Sequence, residues 1–108
     1  MNLPNVIIAL IKAQSDYDSA AYANCFAETA IVFDEGKTHN GRTEIQNWIA
    51  GANKKYKTIM KPLEYRATES GGILSAEISG SFNGSPVLLA YHFEFKNEEI
   101  QSLRITDN

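Results

Sequence analysis

Leu3, Val6, Ile7 and Leu10 recur at three- and four-residue spacing, with Ala13 extending the row, and this period predicts an amphipathic first helix. Pro4 suits its first turn, where a missing N–H costs nothing. Asp18 is placed to cap a second helix, on which Tyr22 and Phe26 lie four apart on one face beside Ala21 and Cys25. The two helices are expected to form a hairpin. Ala30–Phe33 then reads as a short β-branched strand, and Asp34–Asn40, polar with one Gly, as a loop. From Arg42 the stripe Ile45, Trp48, Ile49, Ala52 and Tyr56 predicts a third helix ending near Lys57.

Beyond this helix the period becomes two. Leu63, Tyr65 and Ala67 share one face of a strand, and Ser70-Gly71-Gly72 has turn chemistry. Leu74, Ala76, Ile78, Gly80 and Phe82 alternate with Ser75, Glu77, Ser79 and Ser81, up to Asn83-Gly84, a strong hairpin signal. Val87, Leu89, Tyr91, Phe93 and Phe95 line one face of the next strand, and Ile100, Leu103 and Ile105 suggest a last one. Helices first and antiparallel strands afterwards predict an α+β fold, with helices covering one face of a curved sheet. A sheet that curls round its helices encloses a cone, and such cavities take small ligands.

Composition narrows the function classes. Residues 1–108 suffice for one domain and one core. Net charge is −3 and the lysines are scattered, so the broad basic face of a nucleic-acid binder is missing. The one cluster, Lys54, Lys55 and Lys57, complements a helix C-terminus. Cys25 is the only cysteine, which excludes an internal disulfide and a thiolate metal cluster and fits a small buried hydrophobe. The apolar N-terminal run is too short for a membrane span and lacks a basic start, so no membrane partner and a cytoplasmic location are expected.

Asp34 is the residue to explain. It ends an apolar strand, so its carboxylate sits at the mouth of the core, where desolvation raises a carboxyl pKa and makes a usable base. Alternatively it accepts hydrogen bonds from the backbone of Glu35–Lys37, as Asp often does where a strand turns. His39, five residues on, either relays a proton to Asp34 or stands in solvent at the helix entry. His92 alternates with Tyr91 and Phe93 and so points away from the cavity, leaving no metal site from Asp34, His39 and His92. Among Tyr22, Trp48, Tyr56, Tyr65 and Tyr91, core packing explains most, with one or two polar tips left for a ligand.

The order of Asp18–Ala21, Phe26–Val32, Gly41–Ile45, Phe82–Gly84 and Tyr91–Phe95 over nearly the whole chain resembles the nuclear transport factor 2-like superfamily, in its SnoaL-like and ketosteroid isomerase-like branch. The resemblance implies a cone-shaped α+β barrel, N-terminal helices packed on a curved, mainly antiparallel sheet, and a homodimer through the outer sheet face. It also implies a pocket for a small apolar molecule, walled here by Tyr22, Phe26, Trp48, Ile49, Ile78 and Leu89, with no cofactor. Asp34 falls where the isomerases carry their base. Their two enolate donors match Leu10 and Tyr91, so the carboxylic acid is absent and one donor is apolar, which argues against a true steroid isomerase. The expectation is an isomerase- or cyclase-type enzyme acting on a carbonyl compound, with Asp34 as base and His39 or Tyr91 as acid partner. The rival is a non-catalytic ligand-binding or dimerisation module of the same fold.

Overall fold

The computed structural model describes residues 1–108 and is α+β, three helices on one curved, unclosed six-stranded sheet. The elements run α1 (Asn5–Ser15), α2 (Ser19–Asn24), β1 (Phe26–Asp34), β2 (Lys37–Asn40), α3 (Gly41–Tyr56), β3 (Ile59–Ala67), β4 (Gly71–Ser79), β5 (Val87–Lys96) and β6 (Glu99–Asp107). Sheet order is β2-β1-β6-β5-β4-β3, antiparallel except for the parallel pair of β1 with β6. None of the helices is long and apolar enough to cross a membrane.

Local chemistry accounts for the helix ends. Pro4 stands just before α1 rather than inside its first turn, and Asp18 Oδ1 accepts the Ala21 N–H at 3.0 Å, capping α2. At the start of α3 the Glu44 carboxylate reaches back to accept the Asn40 N–H at 2.8 Å. That helix closes on Lys57 in the left-handed conformation, whose N–H bonds the Asn53 carbonyl. Arg42 fastens α3 to the sheet, donating to the Phe26 carbonyl and to Glu99 at 2.8 and 2.9 Å.

Four expectations are corrected. Phe26 opens β1 instead of continuing the face of α2, which is only six residues long; its four-residue spacing from Tyr22 is coincidental to the helix. Asp34–Asn40 is a tight hairpin instead of a loop: Glu35 and Gly36 both have positive φ, 51° and 74°, and Asp34 pairs with Lys37 across them. Asn83-Gly84, in contrast, lies in a longer connection, because Pro86 has no N–H to give the ladder and pairing begins only at Ile78 with Val87. That connection is tied to α3 instead, through the Ser81 N–H to the Tyr56 carbonyl at 2.7 Å. Gly71 and Gly72 belong to β4 rather than to the turn, and their bare Cα atoms admit the Phe93 backbone and the Tyr65 ring, respectively.

The core lies between the helices and the inner sheet face. Ile7, Leu10 and Ile45 from the helices meet Val32, Leu74, Phe93, Ile100 and Leu103 from the strands, all at most 2% exposed. Along β4, Leu74, Ala76 and Ile78 point inward while Ser75, Glu77 and Ser79 face out. His92 is on the outer face with Ala90, bonded to Thr106 at 2.9 Å, and burial followed by the Arg104 charge lowers its pKa.

Candidate functional site

Ala30, Val32 and Asp34 alternate along β1, and the first two are fully buried. Asp34 is the third residue in this inward row, at the point where the strand leaves the core, so its carboxylate is half-buried. It opens into a cavity of about 810 Å³ between α3 and the strand ends. Ile49, Met60, Ile78, Val87, Leu89 and Ile105 supply the apolar wall. Of the residues expected there, Tyr22, Asp34, Trp48, Ile49, Ile78, Leu89 and Tyr91 line the cavity. Phe26 does not; it is completely buried, its ring 5.7 Å from that of Tyr22.

Desolvation is the main reason that the Asp34 carboxyl is pushed above its usual range, and the neighbouring charge of Glu35 adds to it. Hydrogen bonding from the Trp48 side chain, the charge of His39 and the Glu35 backbone pull the other way without cancelling the rise. Asp34 is in no ion pair, since the ion pairs of the chain are Lys12–Asp16 and Arg42–Glu99.

Two phenols share the cavity with this acid. Tyr22 is 2% and Tyr91 6% exposed, and neither hydroxyl bonds to a protein group, unlike those of Tyr17 and Tyr65. Neither oxygen is sealed in the core, so each tip opens toward the cavity that both residues line. Burial is the largest cause raising both pKa values, with the Asp34 charge contributing at each, so both stay protonated across neutral pH.

His39 takes a different place from the one expected of an acid partner. It lies on β2 opposite Val32, and its ring stacks on Trp48 at 5.4 Å and 28° without lining the cavity. Trp48 in turn meets Tyr22 edge-on at 6.1 Å. Leu10 is buried and offers no hydrogen-bond donor. No group of three or more His, Cys, Asp or Glu side chains is placed to hold a metal ion. Cys25 is buried at the end of α2, its thiol directed at the Ala21 carbonyl and its pKa raised by burial.

Tyr56, from the stripe of α3, and Phe82, from the alternating row that precedes Asn83, also line the cavity, and so does Gln14, which the helix pattern leaves out. A signal exists for Gln14. It extends the buried row Ile7, Leu10 and Ala13, and an amide on such a stripe needs partners.

No family model matches the chain, and no curated protein matches it. Solved structures do. A candidate polyketide cyclase from Sinorhizobium meliloti has a TM-score of 0.93 at 36% identity, over 96% of this chain and 95% of that one. A protein from Catenulispora acidiphila with a ketosteroid isomerase-like fold, in complex with trimethylamine, has a TM-score of 0.88 at 21% identity, over 97% and 86%. The chain belongs to the nuclear transport factor 2-like superfamily. A further solved structure of similar fold is SalBIII, an epoxide hydrolase/cyclase-like enzyme with a role in pyran ring formation in the polyether salinomycin, with a TM-score of 0.82 at 15% identity over 95% and 88%. Within the superfamily this chain thus stands nearer in sequence to the candidate cyclase than to the isomerase-like fold, and the two lower identities concern the fold alone.

Proposed function

We propose that this superfamily member abstracts a proton next to the carbonyl of a small, mostly apolar compound, in an isomerase- or cyclase-type reaction without a cofactor. The observation that carries the reading is a half-buried carboxylate with a raised pKa in one cavity with two protonated, unpartnered phenols. Asp34 takes the α-proton; the C–H electrons form the C=C bond, and the carbonyl π electrons move to oxygen. Tyr91 and Tyr22 donate hydrogen bonds to that oxygen, Tyr22 serving where Leu10 cannot. Where a β,γ double bond extends the enolate to a dienolate, the oxygen electrons re-form C=O, the α,β bond becomes double, and the γ-carbon takes the proton back from Asp34, giving the conjugated isomer. In a cyclisation the enolate carbon attacks a second carbonyl of the same molecule, and the new alkoxide takes the proton. The raised pKa fits both halves, since a base that must release its proton works best near the ambient pH. A cavity of about 810 Å³ suits a ligand of drug-like size. The 36% identical candidate polyketide cyclase supports the same reaction class.

Exchange of α-protons in D2O tests this without knowledge of the natural substrate. A panel of apolar ketones is followed by NMR with the wild-type protein and with Asp34→Asn. Exchange by the wild type and its loss in the variant are expected. Equal exchange in both, or none with any ketone, would leave the cavity a binding site only. A homodimer through the outer sheet face belongs to the same reading. There, Glu77→Arg combined with His92→Asp should lower the sedimenting mass, and an unchanged mass removes that interface.

A further inference from the structure

Trp48, the only tryptophan of the chain, lines the cavity with Asp34, and its ring is held from two sides. His39 stacks on it at 5.4 Å, and Tyr22 meets it edge-on at 6.1 Å. The sheet register sets this ring beside the acid. His39 lies across from Val32 and Lys37 across from Asp34, and cross-strand partners share a face, so Val32, Asp34 and His39 stand on the face that α3 covers. Asp34 is two residues along β1 from Val32, about 7 Å, and β2 is one strand away, about 5 Å, so an indole lying on His39 is within reach of the carboxylate. The contact is made: Asp34 accepts a side-chain hydrogen bond from Trp48, whose only polar group is the indole N–H.

A carboxylate at a strand end has two oxygens and a soft torsion about its last bond. A donor on one oxygen stops that rotation and leaves the other free for the α-proton. The same contact favours the ionised form, which offsets part of the desolvation and keeps the carboxylate available as a base. We infer that Trp48 is a positioning residue for the base: its N–H holds one oxygen of Asp34 and turns the other to the ligand, with the stacked His39 ring and the Tyr22 edge fixing the indole plane. The inference rests on the reading of Asp34 as base given above and adds what orients it.

A single indole gives a single ¹H–¹⁵N signal, so the contact can be read in the wild-type protein. That signal should move with pH at the midpoint of the Asp34 carboxyl carbon, and the step should vanish in Asp34→Asn. Glu35, Lys37, His39 and the phenols of Tyr22 and Tyr91 also surround this carboxyl, and the Asp34→Asn control separates their titrations from its own. Trp48→Phe keeps a ring against His39 and Tyr22 and removes the N–H. In it the Asp34 midpoint should rise, because a contact favouring the carboxylate is gone, and the acid limb of α-proton exchange should move to higher pH. Above both midpoints, kcat for exchange of 1-tetralone in D2O should fall about tenfold while KM changes less than about twofold. A flat indole signal in the wild type, an Asp34 midpoint that stays or falls in Trp48→Phe, or an unchanged kcat overturns the role of Trp48. The wild-type indole titration decides even where the variant fails to fold. Coincident midpoints without exchange by the wild type overturn only the base assigned to Asp34, leaving Trp48 as the anchor of the carboxylate.

Discussion

Removing one hydroxyl at a time from Tyr22 and Tyr91 separates what the fold needs from what the ligand needs. Both rings are nearly buried, Tyr22 packing on Phe26 and Trp48 and Tyr91 on Phe93, but neither oxygen bonds to protein. Tyr22→Phe and Tyr91→Phe therefore leave no orphaned partner, and the change in stability should stay within about 0.5 kcal/mol, or roughly 2–4 °C in Tm. Binding of an oxyanion should respond far more. A hydrogen bond to a charged acceptor contributes about 1.5–3 kcal/mol, so each variant should bind an enolate mimic roughly 10- to 150-fold more weakly. The mimic is 2-naphthol, whose ionised oxygen is attached to an sp² carbon as in an enolate. The background is Asp34→Asn, which imitates the base after it has taken its proton. Fluorescence distinguishes bound naphtholate from naphthol. Unchanged naphtholate affinity in both variants would refute the donor role, and a fall of more than about 5 °C in Tm would show that the hydroxyls serve the fold.

Two other perturbations follow from the same structure. The folded protein holds the Asp34 proton more tightly than the unfolded chain does, so between the two pKa values the unfolded chain binds fewer protons and stability falls as pH rises. The Tm advantage of Asp34→Asn over the wild type should thus grow with pH from the ordinary carboxyl range through the raised folded value and then level off; an advantage that shrinks with pH would contradict the burial of this group. Gly51 lies inside α3, and a Cβ added there would meet nothing within 4 Å, so Gly51→Ala should stabilise the protein by about 0.5–1 kcal/mol in denaturant unfolding; a loss of stability would mean the helix packs more tightly there.

Much of the architecture is legible in the chain, because the features that carry it are local. The period of α1 and α3, the Asp18 cap and the alternation of β4 and β5 are each written within about ten residues. Asp34 is legible for the same reason, as the polar end of an inward row. The hairpin that bears it is not: Lys37–Asn40 is polar throughout, with no apolar alternation to mark a strand, and its turn is Glu35-Gly36 rather than Asn-Gly. The parallel pairing of β1 with β6 joins residues some seventy positions apart, such as Val32 and Leu103, and no local pattern encodes it. Phe26 misleads because a four-residue spacing from Tyr22 imitates a helix across a boundary set by the sheet. At the site, the acid and Tyr91 can be named from the sequence, whereas the pairing of Tyr22 with Tyr91 and the stacking of His39 on Trp48 depend on how the sheet curls.

The central claim is that burial makes Asp34 a base, and direct titration of its carboxyl carbon by ¹³C NMR tests it. The account predicts a midpoint above the usual 3.8, with Asp34→Asn removing that signal and no other. A midpoint at or below 3.8 would mean that the contacts from Trp48, His39 and the Glu35 backbone outweigh desolvation, and the carboxylate would then be a loop anchor rather than a base.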